Sequence, residues 1–113
     1  MKLVIAVIKP FKLDEVREAL SGIGVQGITA TEVKGFGRQR GQDGGIEKNL
    51  NYNDEFHAKI KIELIVEDNI FEKAIETIKN AAYSGKIGDG KIFVSSIEQV
   101  IRIRTGEKDS DAV

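Results

Sequence analysis

Apolar and polar positions along the chain repeat one plan twice. Leu3 to Ile8 is a nearly unbroken apolar, β-branched run, the pattern of a strand covered on both faces. Lys9-Pro10 ends it. Leu13, Val16, Leu20 and Ile23 follow at helical spacing, with Asp14, Glu15, Arg17 and Glu18 on the wet side. Gly22 and Gly24 stop that helix. Gly27 to Phe36 is rich in Ile, Thr and Val and predicts a second strand. From Phe56 the plan begins again. Phe56, Ala58, Ile60, Ile62, Leu64 and Val66 alternate with His57, Lys59, Lys61 and Glu63, a half-buried strand with Lys59 on its polar side. Asp68 or Asn69 is the candidate cap of a second helix, whose apolar face carries Phe71, Ala74, Ile75, Ile78 and Ala82. Ser84-Gly85 closes it. Ile92 to Val94 predicts another strand, and Ile97 to Arg104 an extension of the sheet. The tail from Gly106 to Val113 is acidic and expected to be loose.

Between the two halves the pattern disappears. Residues 37–55 hold Gly37, Gly41, Gly44 and Gly45, many polar side chains and no period. This predicts a long mobile loop, and loops of that length in small domains are functional or disordered. The order is therefore β-α-β, long loop, β-α-β. Two such halves interleave into an α+β, ferredoxin-like fold. It has a four-stranded antiparallel sheet, both helices on one face, and the loop between strands 2 and 3. The helices cover one face only, yet Leu3–Ile8 is apolar on both. A homo-oligomer partner is the simple cover for the other.

Length agrees with this plan, since 113 residues suffice for one compact domain over 1–113 and are too few for two. The 17 basic and 18 acidic side chains nearly cancel, which argues against a nucleic-acid or membrane-surface binder. With no cysteine, disulfides, thiolate catalysis and zinc–thiolate sites are excluded. The apolar start runs for only about seven residues, too short for a membrane span, and no small-residue cleavage site follows it. A cytoplasmic protein without membrane insertion is expected.

The strongest local chemistry lies in Gly85-Lys86-Ile87-Gly88-Asp89-Gly90-Lys91. Glycines let backbone N–H groups converge on one point, the way a chain cradles phosphate oxygens, and Lys86 and Lys91 add positive charge. Gly85, Gly90 and Lys91 have Walker A spacing. However, Ile92 stands where a Ser or Thr would hold magnesium, and the loop runs from helix to strand instead of strand to helix. It is therefore either a phosphate cradle of another kind or a plain turn with charged decoration. Gly35-Phe36-Gly37-Arg38-Gln39-Arg40-Gly41 opens the long loop. Arg38 and Arg40 can fork onto phosphate or carboxylate oxygens, and Gln39 offers an amide oxygen to a hard cation. The alternative is a flexible loop root with solvated charges. In Arg102-Ile103-Arg104-Thr105, alternation puts both arginines on one side of an extended segment, to grip phosphates across a subunit boundary or to sit on a solvated strand edge. His57 is the sole histidine and reads as a surface residue of its strand. Glu63 and Asp89 could orient a ligand, but no nucleophile–base pair is visible, and an enzyme is not expected. An amino-acid sensor module of the ACT type would share the scaffold but lack a lysine-bearing triple-glycine loop.

Taken together, these segments resemble the PII signal-transduction proteins of bacteria, archaea and plastids. The resemblance covers nearly the whole chain. It rests on Ile8 to Leu13 with Val16 to Leu20, on Thr31 to Gln39, on Lys59 to Glu63, and most specifically on Gly85 to Val94 and Ile101 to Glu107. It implies a homotrimer with clefts between subunits where ATP and ADP compete. With Mg-ATP bound, 2-oxoglutarate joins and reshapes the long "T-loop". That loop docks onto an ammonium-type membrane transporter or an enzyme of nitrogen metabolism. Carried over by position, Gly88, Asp89, Gly90 and Lys91 match the phosphate-binding loop. Gly37, Arg38 and Gln39 match the root of the T-loop, and with Gly35 they are expected among the nucleotide-binding residues. Arg102 and Arg104 match arginines reaching the neighbouring subunit's nucleotide, and Thr29, Glu63 and Leu64 fall near adenine and ribose. Gln39 matches the residue that helps hold magnesium and 2-oxoglutarate, Lys59 the partner of the effector's far carboxylate, and Gly88 part of the same effector site. The departures lie in Gln42 to Tyr52, where the usual Tyr-Arg-Gly-Ala-Glu-Tyr stretch is absent. Tyr52 falls where many members carry a uridylylated tyrosine, with unmatched neighbours. An adenine-nucleotide sensor that does not use 2-oxoglutarate is the alternative.

Overall fold

Strand β1 (Lys2–Ile8) lies at the centre of the molecule, hydrogen-bonded on both edges. The computed structural model describes residues 1–37 and 56–113. Along them follow α1 (Leu13–Gly22), β2 (Thr29–Gly35), β3 (His57–Val66), α2 (Asp68–Ala82) and β4 (Lys91–Ser96). The sheet order is β2-β3-β1-β4, and every neighbouring pair is antiparallel. This is the ferredoxin-like double βαβ arrangement expected from the repeat. The predicted long loop, apart from Gly37, falls outside the described residues.

Register explains the core. Val4, Ala6 and Ile8 pair with Leu64, Ile62 and Ile60, and all six are buried. The side-chain period of two sends all of these to one face of the sheet. There they meet Val16 and Leu20 of α1 and Ala74, Ile78 and Ala82 of α2, which also supply the helix–helix contact. On the opposite face Leu3, Ile5 and Val7 are only half-buried, and Phe93, opposite Ile5, is 48% exposed. The cover expected on both faces of β1 is thus supplied within the chain on one face alone.

Three local expectations need correction. The helix α2 is not capped by Asp68 or Asn69: Glu67 takes the N-cap position without a side-chain hydrogen bond. Asp68 sits inside the first turn and accepts from the Met1 α-amino group at 2.9 Å. Ile97 to Arg104 does not extend the sheet. Ile101 instead bridges Lys108, and the chain between them turns back on itself with Gly106 N–H donating to the Arg102 carbonyl at 2.8 Å. Gly106 reaches that turn at φ 75°. The acidic tail is accordingly not loose. Asp109 N–H donates to the Val100 carbonyl at 2.8 Å, and the Val100 N–H returns to Asp109 Oδ1 at 3.2 Å. Lys59, on the side of β3 where alternation places it, is buried at 8% exposed.

Where β1 ends and β4 begins, the two backbones touch. Gly90 has φ 96°, and a Cβ there would lie 1.7 Å from the Val7 carbonyl oxygen. Backbone cannot yield as a side chain tip can. Gly90→Ala should therefore destabilise the fold by about 3 kcal/mol, from left-handed strain plus overpacking. Thermal melts at fixed protein concentration check this, and an unchanged midpoint would mean that the strand join is not as close as described.

Candidate functional site

The loop between α2 and β4 is organised around one carboxylate. Asp89 Oδ2 accepts from the Ser84 N–H at 2.8 Å and the Gly85 N–H at 2.9 Å. Asp89 Oδ1 accepts from the Ser84 hydroxyl and faces Lys9 Nζ at 3.2 Å. Lys9 also donates to Ser84 Oγ at 3.0 Å, and the Lys86 N–H reaches the same oxygen at 3.3 Å. A hydroxyl can accept twice and donate once, so Ser84 is fully used. Burial alone would raise the Asp89 carboxyl. The hydrogen bonds from Ser84, Gly85 and Lys9 outweigh it and hold the group well below the usual carboxylate range.

This inward-facing network divides the glycine loop in two. The Ser84–Gly85 amides are spoken for by Asp89. Gly88 and Gly90, both in the left-handed region at φ 98° and 96°, form the other half, with Lys91 exposed beside them. Glycines in this conformation can turn backbone N–H groups toward an anion. Asp89 thus shapes the loop, and its side chain does not point outward to a ligand.

Lys59 meets the same loop from below. Its ammonium donates to the Gly88 carbonyl at 2.6 Å. Gly35 leaves the room its stem needs, since a Cβ there would stand 3.3 Å from Lys59 Cγ. Burial lowers the Lys59 pKa, the nearby Lys9 charge lowers it further, and Asp89 offsets part of this. Strand alternation placed Lys59 correctly on the face opposite Ile60. It carried no sign that the Gly88 turn would close over that face.

The remaining predicted residues divide between this end of the sheet and another. Thr29 pairs with Glu63 at the start of β2. Thr29, Glu63, Leu64 and Arg102 line an open cleft of about 840 Å³ whose far wall is Ala112 and Val113 of the folded tail. Lys59 and Glu63 are four residues apart on β3, about 13 Å at the rise of an extended strand. Arg102 is held by its own tail, 3.8 Å from Glu107 and donating to the Ala112 carbonyl at 3.3 Å. Arg104 is exposed in the tight turn, so strand alternation does not set the two arginines side by side. Gly37 is exposed where the description stops, and Arg38, Gln39, Arg40 and Tyr52 lie outside the described residues.

Sequence reasoning missed Lys9, Ser84 and the ring pair Phe36–Phe56. The rings stand 5.4 Å apart at 52° and clasp the two ends of the long loop. It also missed that His57 buries its Nε2, which has no hydrogen-bond partner among the described residues. The one available signal was the five-residue reach from Ser84 to Asp89, which periodicity does not register. Among the described residues no cluster of His, Asp or Glu could hold a metal, and no helix is long and apolar enough to cross a membrane.

The Asp89 network has a pH signature. A carboxyl whose folded pKa is depressed stabilises fully above its unfolded value of about 3.9, and loses that contribution as pH falls through the folded value. Wild-type stability should therefore fall more steeply below about pH 4 than that of Asp89→Asn, which has no such group to titrate. Denaturant unfolding at stepped pH measures both limbs. Parallel limbs would remove the carboxylate from the loop's support.

Comparison with known proteins agrees with this geometry. The family model described as "Nitrogen regulatory protein P-II" matches residues 1–107. The chain is 58% identical over 113 residues to the nitrogen regulatory protein P-II of Rhodospirillum rubrum and 54% identical to the nitrogen regulatory protein GlnK of Escherichia coli K12, covering 100% of each chain. In solved structures it is similar to Arabidopsis thaliana PII bound to citrate. There the TM-score is 0.82 and the identity 38%, over 99% of this chain and 91% of that one. A glycine loop held by an internal carboxylate, on a ferredoxin-like sheet matched from end to end, places this chain in the nitrogen regulatory protein P-II family of signal transducers.

Proposed function

We propose that this chain is a non-enzymatic sensor that binds ATP and ADP at Gly88–Lys91 and 2-oxoglutarate at Lys59. It reports their levels to an ammonium-type transporter or a nitrogen-metabolism enzyme through the loop at 37–55. The observation that carries this reading is the state of Lys59. It is a buried cation whose hydrogen bond goes to a neutral carbonyl, beside a half-loop of left-handed glycines. Burying an ammonium without a counter-ion is costly, and the lowered Lys59 pKa expresses that cost. A ligand carboxylate would relieve it. That a related PII binds citrate supports an effector of carboxylate chemistry.

The residues fit a nucleotide in two pieces. Gly88, Gly90 and Lys91 suit phosphate oxygens, while the cleft of Thr29, Glu63 and Leu64 suits a base and ribose. Packing a second and third copy against the half-buried face of Leu3, Ile5, Val7 and Phe93 would close a homotrimer. Clefts between copies then take their walls from two chains, with Arg102 and Arg104 reaching across. No acidic cluster prepares a metal site among the described residues, so magnesium fits as a companion of the ATP phosphates. When bound it would supply a hard Lewis centre, to which Gln39 could add an amide oxygen. Within the chain, Gly88 and Gly90 position the phosphates, Lys91 balances their charge, and Lys59 receives the effector's far carboxylate.

Titration calorimetry tests this. 2-Oxoglutarate should bind with Mg-ATP present and not without it. Lys59→Ala should abolish that binding and spare most of the ATP affinity, while Lys91→Ala should weaken ATP and ADP by about 1.5–3 kcal/mol, one charge-assisted contact. Nucleotide binding with no 2-oxoglutarate response would instead leave an adenine-nucleotide sensor of another effector.

A further inference from the structure

Lys9 and Lys59, both buried, share one charge cluster with the part-buried Asp89. Lys9 is 7% exposed and Lys59 8%. Lys9 is bound to Asp89 Oδ1 and Ser84 Oγ, and Lys59 to the Gly88 carbonyl. Both lysine charges act on each other, and Asp89 opposes them. Two cations and one anion leave a net charge of +1. The carboxylate is not free to move, because both of its oxygens also accept from Ser84 and Gly85.

We propose that Asp89 is a built-in anion that sets ligand specificity at the Lys59 site, by engaging Lys9 and leaving Lys59 as the ammonium a carboxylate can claim. This rests on the reading of Lys59 as an anion-binding residue. In its wild-type form the site rewards one carboxylate at this end of a ligand. Without the Asp89 charge, Lys9 would join Lys59, and a ligand carrying more negative charge would gain. Specificity here is a difference of affinities, and the internal carboxylate is its repulsive element.

The consequence is a charge series in the full-length chain. Lys9→Gln gives the cluster a net charge of 0, wild type +1, Asp89→Asn +2, and the double variant +1 again. Asn keeps the size of Asp and an oxygen for the Ser84 and Gly85 N–H groups. Citrate, a tricarboxylate, is the probe, titrated in the presence of excess Mg-ATP into protein whose melting confirms the fold. Asp89→Asn should bind citrate about tenfold tighter than wild type and Lys9→Gln about tenfold weaker, the worth of one charge-assisted contact each. The double variant should return close to wild type. A residue that only props up the loop would instead weaken binding in every variant, and that result, or a flat series, overturns the proposal. If Asp89→Asn does not fold, Lys9→Gln decides alone: its Asp89 loses its cation and opposes the ligand, so undiminished citrate affinity refutes the role.

A parallel arm separates the two readings. Wild type is titrated with 2-oxoglutarate in the presence of Mg-ATP. Failure there with the charge series intact removes 2-oxoglutarate and keeps Asp89. A flat series with 2-oxoglutarate binding intact removes Asp89 and keeps the effector.

Discussion

Two lysine ammoniums and a single carboxylate share the space beneath one glycine loop, and the cost of burying that charge governs how the site is built. An ion pair in low dielectric is tolerated when its remaining donors and acceptors are satisfied. Asp89 meets that condition through Ser84, Gly85 and Lys9. Lys59 meets it only in part, through a neutral carbonyl. The same carboxylate folds the Ser84–Gly85 half of the loop inward, and Gly88 and Gly90 follow it in left-handed conformations. One part-buried anion therefore engages two loop amides and Lys9, and leaves Lys59 with a carbonyl as its hydrogen-bond partner.

The loop could not hold this shape without the sheet. Lys9 follows directly on β1, and Lys91 opens β4, its partner strand. Gly90 packs on the Val7 carbonyl because those two strands meet in register there. Lys59 comes from β3, the strand on the other edge of β1. Three strands of a sheet whose core is fixed by Val4, Ala6, Ile8, Ile60 and Ile62 thus deliver the three parts of the site. The helices matter at one remove, by fixing the face on which those residues pack.

The same logic explains what was legible in the sequence. Strands and helices announce themselves by period, so β1, α1, β3 and α2 could be read within a few residues of their ends, and the glycine loop stood out by composition. The C-terminal segment did not follow its period. Ile101 to Arg104 looks like a strand, but a glycine at φ 75° and non-local bonds from Val100 to Asp109 turn it into a hairpin. Alternation reports which face of a sheet a residue takes, and nothing about what covers that face. For that reason the sequence placed Lys59 on the polar side of β3 without showing that the Gly88 turn covers it. Lys9 was hidden as the residue before a proline, with no pattern linking it to Asp89. The division of the site residues between the cradle and the Thr29–Glu63 cleft was equally invisible, because no one-dimensional spacing encodes where a strand's two ends lie.

That division also bears on how a bound ligand could be felt elsewhere. Lys59 stands two residues beyond His57, where β3 begins. Just before β3, the Phe56 ring closes on Phe36 at the far end of β2. A ligand that drew the Lys59 ammonium away from the Gly88 carbonyl would change a contact that joins β3, two residues past its start, to the glycine loop. If those two regions each have a ligand, the free energy linking them must be equal in both directions. The Lys59–Gly88 hydrogen bond links them directly, since one partner belongs to β3 and the other to the turn that carries the glycines. On the proposed reading, coupling of nucleotide, effector and loop would need no wholesale rearrangement of the sheet, only one buried cation with two alternative partners, a carbonyl of its own chain and a carboxylate from outside.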